Sequence, residues 1–76
     1  MAISKFKLVC KESNYPIKES GSLKSIFEHI QFYIDKPENY LVEENESGDV
    51  VDTCAAKFLI ENFKNPEDVP VSILDL

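Results

Sequence analysis

The feature that most constrains this 76-residue chain is a change of hydrophobic period at Gly21-Ser22. Before it, Phe6, Leu8 and Cys10 alternate with Lys5, Lys7 and Val9, the period of two that a half-buried strand requires. After it, Leu23, Ile26, Phe27, Ile30 and Ile34 recur every three or four residues, the stripe of an amphipathic helix. A chain that carries both patterns must bury a helix face against a sheet face. Ser22 is placed to cap the helix, and Pro37 stops it by forbidding continuation. Phe32 and Tyr33 widen the apolar stripe, which predicts a helix packed on more than one side.

The remaining segments extend the pattern. Lys11-Glu12-Ser13-Asn14 is turn material, and Tyr15-Pro16-Ile17-Lys18 resumes an extended stretch. Pro16 cannot donate to a ladder, so this second strand belongs at a sheet edge or is short. Tyr40-Leu41-Val42 predicts a third strand, followed by an acidic turn from Glu43 to Gly48. Asp49 is then placed as the cap of a second helix, with Val50, Val51, Cys54, Ala55, Phe58, Leu59 and Asn62 on one face and Asn65-Pro66 at its end. Val69-Pro70-Val71-Ser72-Ile73 reads as a last extended segment with Val69, Val71 and Ile73 on one side. The expected fold is a single α+β domain over residues 1–76: a small mixed sheet with two helices on one face, in the order β-β-α-β-α-β.

Composition narrows the function. There are 8 lysines, no arginine and 14 acids, for a net charge of −6. Nucleic-acid binding needs a cationic footprint, so direct contact with nucleic acid is not expected. No apolar run approaches the roughly 20 residues of a membrane helix. Met1-Ala2-Ile3-Ser4-Lys5 has no apolar leader core, which predicts an intracellular, cytoplasmic or nuclear chain with reduced cysteines. The charge is also uneven: residues 1–24 hold five lysines against two acids, and residues 25–76 hold three against twelve. Lys5, Lys7 and Lys11 suit the solvated flank of an edge strand. Glu38, Glu43, Glu44, Glu46, Asp49 and Asp52 form a run without a base, either a solvated loop and helix start or a face for a basic partner.

Catalytic patterns do not assemble. His29 is the sole histidine, so a histidine cluster for a metal is excluded, and it lies off the apolar stripe of its helix. None of the seven serines sits in a nucleophile-elbow setting. Cys10 and Cys54 fall on apolar faces without CxxC spacing, as packing thiols do. Gly21 and Gly48 cannot form a phosphate-cradling loop. Glu43/Glu44 and Glu67/Asp68 are neighbours whose side chains diverge, unsuited to a facing acid and base. The expectation is a protein that is not an enzyme and needs no cofactor.

The stretch Lys7-Leu8-Val9-Cys10-Lys11-Glu12-Ser13-Asn14-Tyr15-Pro16-Ile17 resembles the opening hairpin of elongin C and its relatives. These are the small POZ-fold (BTB) adaptors of cullin ubiquitin ligases, among them the S-phase-kinase-associated adaptor that holds F-box proteins. Leu23-Lys24-Ser25-Ile26 is similar to the start of the helix that follows there. Leu41-Val42 and Val50 to Phe58 look like its third strand and second helix, and Val69 to Ile73 resembles the proline-containing segment beyond. The resemblance spans about residues 5 to 74 and implies a POZ-like adaptor with a cullin-type scaffold as partner. The family continues into helices that hold the substrate receptor, which this chain does not reach; the residue before the second helix's turn is also usually apolar there, whereas here the stretch Glu43 to Glu46 is acidic.

The leading expectation is a protein–protein interaction module that presents a sheet edge and the loop Asp35–Asn39. Phe32, Tyr33, Asp35, Lys36, Glu38, Asn39 and Tyr40 are its candidate contacts, with core packing as the alternative role of the aromatics. A second expectation is an acidic inhibitor or immunity-type protein that covers the basic surface of a nuclease or nucleic-acid-binding machine. There the patch Glu43, Glu44, Glu46, Asp49 and Asp52, with Glu38, would speed association. A third is a small subunit that folds within a large assembly.

Overall fold

A computed structural model describes residues 4–76; the reading of Met1 to Ile3 lies outside the described residues. The first strand, β1, runs Phe6–Cys10 and turns at Lys11–Ser13 into β2, Pro16–Ser20. Helix α1 spans Leu23–Tyr33, and a 3-10 turn at Pro37–Asn39 leads into β3, Tyr40–Glu46. A tight hairpin returns the chain as β4, Asp49–Ala55, which passes directly into helix α2, Ala56–Asn62. Two further 3-10 turns, Pro66–Asp68 and Ile73–Asp75, close the chain. The four strands form one antiparallel sheet in the order β2-β1-β3-β4.

The α+β class and the pairing of one sheet with two helices are as expected; the order is β-β-α-β-β-α, and no parallel pair is present among the described residues. The main correction falls on residues 43–55. Glu43 to Glu46 are not a turn but the second half of β3, and Asp49 caps no helix. The turn is Ser47-Gly48 alone, with φ of 55° and 89°. Two consecutive positive φ values are the geometry of a two-residue hairpin whose twist matches its strands. Val50, Val51 and Thr53 are β-branched and favour the strand that this hairpin offers, which overrides their helical spacing. Helix α2 therefore begins only at Ala56, without a side-chain cap.

The core lies on one face of the sheet. Phe6, Leu8 and Val42 meet Leu23, Ile26, Phe27 and Ile30 of α1 and Ala56 and Leu59 of α2. Each such aliphatic or aromatic side chain contributes roughly 1.5–3 kcal/mol by leaving water. The Ser22 hydroxyl accepts from the Ser25 N–H at 3.4 Å, as the capping pattern predicts. Val9, expected to alternate outward with the lysines, is instead only 3% exposed on the opposite face, between Pro16 and Leu41 in the register. The lysine reading is corrected too: β1 is an inner strand, so Lys5 and Lys7 guard no edge. Lys7 pairs with Glu19 at 3.9 Å and Lys5 with Glu44 at 3.8 Å.

The last segment is not a strand. Val69 and Ile73 are buried, whereas Val71 is exposed, so the three do not share a side. What fixes the segment is Glu44. Its carboxylate, 4% exposed, accepts from the Ser72 hydroxyl at 2.8 and 3.0 Å and from the Ile73 N–H at 2.7 Å. A buried carboxylate must be satisfied, and here the tail satisfies it.

Candidate functional site

Helix α1 ends where Ile34 turns extended, and the chain then passes Asp35 and Lys36 into the Pro37–Asn39 turn. That turn is tied to the hairpin by the Lys11 N–H, which donates to the Asn39 carbonyl at 2.9 Å. The result is a shallow depression of about 290 Å³ lined by Tyr33, Ile34, Asp35, Lys36, Asn39 and Tyr40. Five of the seven residues expected to form a contact surface thus line one depression. Phe32, 70% exposed, lines a separate hollow with Lys18, Ser25, Glu28 and His29 that shares only Tyr33 with this one, and Glu38 is exposed on the 3-10 turn. Tyr33 is 75% exposed, so neither aromatic packs in the core and α1 is buried on one side only, contrary to expectation. Tyr40, half-buried, does pack against the core. A larger groove of about 500 Å³ continues from Ile34 and Asp35 to Ile60, Phe63 and Lys64. Its walls are braced by the Gln31 side-chain amide, which donates to the Lys64 carbonyl at 3.2 Å. The surface combines an aliphatic floor with one acid and two lysines on its rim, which suits an apolar side chain flanked by polar groups.

The acidic run does not form one face. Glu44 points to the helix side of the sheet and is consumed by the tail. Glu43 pairs in register with Lys7 and Thr53 on the opposite side. Glu46 and Asp49 face each other beside the hairpin turn, and Glu44 faces Asp52. Like charges directly opposite on neighbouring strands cost stability, so this hairpin carries a built-in electrostatic load. Glu38 lies on the Pro37–Asn39 turn, before β3 begins.

Compared with family models, with curated proteins and with solved structures, the chain matches none.

The two thiols differ. Both are free. Cys10 lies at the mouth of the first turn, where the backbone N–H groups of Ser13 and Glu12 and the Ser13 hydroxyl hold its pKa below the usual thiol range. Cys54 is pushed up to about 11 by burial, with Asp52 adding to the rise. They share the helix side of the sheet but lie two strands and two residues of register apart, roughly 12 Å, beyond the reach of a disulfide. His29 is lowered by partial burial and by the charge of Lys18, and its ring stacks at 5.1 Å on Tyr33.

One surface escaped the sequence reading. The β4 residues Cys54 and Ala55, Phe58 of α2, and Ile73 and Leu76 of the tail enclose a mostly apolar cleft of about 360 Å³. The helical spacing predicts Val50, Val51 and Phe58 on one helix face, yet Val50 and Val51 lie on β4, Phe58 lies on α2, and all three are exposed. The legible signal was Ser47-Gly48 between two runs of strand formers, a hairpin signature.

Proposed function

We propose that this chain is a protein–protein interaction module rather than an enzyme. The observation that carries the reading is the depression beside Tyr33, where five expected contact residues meet, with Phe32 exposed in the next hollow along α1. Exposed aromatics beside a small hollow of mixed polar and apolar lining are common anchors of a protein interface, because a rigid ring supplies much contact area at little entropic cost. An intracellular setting suits the free thiols.

Kinship with POZ-fold adaptors, and a cullin-type scaffold as partner, is the narrower form of this proposal. Its support is the β1–β2 hairpin followed at once by α1, the part of the chain that most resembles those adaptors. Residues 49–55, which the resemblance implies to be helical in part, form β4 instead, so the support rests on residues 6–33.

The test is quantitative capture from cell extract with the native chain and with a Phe32→Ser/Tyr33→Ser variant. Both side chains are exposed, so the variant is expected to keep the fold. The reading expects a defined set of proteins to fall by about tenfold with the variant. An identical set at identical yield would overturn the assignment of the surface. Cullin-ligase components among the proteins lost would support the narrower form, and their absence would remove it.

A further inference from the structure

We propose that the outer edge of β4, from Asp52 to Ala55, accepts an extended lysine- or arginine-bearing segment of another protein as a fifth strand. This deepens the interaction-module reading and rests on it. Among the described residues β4 ends the sheet and pairs only with β3. The register skips Val51, a bulge that sets this residue apart from the ladder, but beyond it Asp52, Thr53, Cys54 and Ala55 pair regularly with Glu44, Glu43, Val42 and Leu41. Alternate residues of this stretch turn their backbone groups outward; of these the Thr53 N–H already donates to the Asp52 carboxylate at 2.8 Å, a local contact that an added strand displaces as it pairs.

The side chains beside this edge say what fits. The apolar cleft under Phe58 and Leu76 lies against the same stretch and offers a seat for alternate apolar residues of an added strand. Asp49 and Asp52 lie on β4 itself, and Asp75 on the 3-10 turn that packs against it. No lysine occurs between residues 43 and 56, and Lys57 is engaged by Glu61 at 3.6 Å. The edge is therefore apolar and anionic at once, and complementary charge selects a basic segment. A second copy of this chain is the poorer occupant. Antiparallel self-pairing would bring two such acidic edges together and join two chains of net charge −6.

The experiment is a backbone-amide NMR titration of the full chain with two capped peptides, Lys-Val-Lys-Leu-Lys-Val and Glu-Val-Glu-Leu-Glu-Val. The lysine peptide at ~1 mM, where a weak single-strand contact is measurable, is expected to shift amides from Asp52 to Ala55 and to spare Pro16–Ser20. The glutamate peptide is expected to shift neither. Phe58→Ser and Asp49→Asn/Asp52→Asn should each weaken binding by about threefold to tenfold, and only the second should flatten its salt dependence. Equal response to both peptides, or shifts confined to β2, overturns the inference. So does concentration-dependent broadening of β4 without peptide, which would make a second copy the occupant. Shifts at Tyr33, Asp35 and Tyr40 alone overturn the edge site while leaving the interaction module standing. No shift anywhere overturns the edge site, and the Phe32/Tyr33 capture decides the module separately.

Discussion

The two edges of the sheet differ in how they meet solvent. β2 presents Pro16, which has no N–H to offer, a register skip at Ile17, and Lys18 and Glu19 of opposite sign. These are the devices by which sheets discourage strand addition. β4 also carries a skip, at Val51, but beyond it come four regular residues with no proline and no lysine, next to an apolar cleft. Its flank is completed by the tail, fastened through Glu44 to Ser72 and Ile73. One edge is closed by backbone chemistry, while the other is covered only by the Asp52 side chain on the Thr53 N–H and is given a wall. The difference teaches that net charge alone identifies no surface in this chain: the acids matter by strand position, and one of the most central is structural.

The comparison can be broken hardest at the wall. Glu44→Ala leaves the Ser72 hydroxyl and Ile73 N–H without their acceptor and is expected to cost about 2–4 kcal/mol in urea denaturation. Lys18→Ala, at the opposite edge, is expected to cost less than ~0.5 kcal/mol. Equal losses would show that the tail is not fastened as described.

The thiols report on an inner strand, β1, and on the edge strand β4. Timed alkylation at neutral pH is expected to label Cys10 at least about tenfold faster than Cys54, since the thiolate is the reacting form. Folding holds the Cys54 proton more tightly than the unfolded chain does. Its contribution to stability is therefore complete below the ordinary thiol value of 9.0 and is lost as pH rises towards about 11. Denaturation midpoints across that window should fall in the native chain and fall less in Cys54→Ala.

A smaller effect sharpens the electrostatics. Asp52→Asn removes the repulsion with Glu44 while keeping an oxygen that can accept from the Thr53 N–H. It is expected to stabilise the chain by roughly 0.2–1 kcal/mol at low salt, and by less as salt screens the pair. A destabilisation would mean that Asp52 is held by something other than these contacts.

Much of this was legible before the structure. Phe6, Leu8, Leu23, Ile26, Phe27 and Ile30 carry the core through period alone, and Ser22 and Pro16 have the roles their chemistry implies. The hollow at Tyr33 was legible because a proline-stopped helix must turn there. Residues 49–55 were not, because Val50, Val51, Cys54 and Ala55 satisfy a helical spacing as well as a strand. Only the pairing with β3 decides between them, and that pairing is a long-range contact. The buried role of Glu44 was illegible for a similar reason: its partners lie 28 and 29 residues away.

The central claim, that β4 and not β2 is the receptive edge, is tested most directly by photo-crosslinking from each. A benzophenone side chain is placed at Thr53 in one protein and at Lys18 in another, and both are irradiated in the same cell extract. The account predicts discrete adducts from position 53 that a lysine-rich strand peptide competes away, and none from position 18. Adducts from position 18 alone, or the same adducts from both, would contradict it.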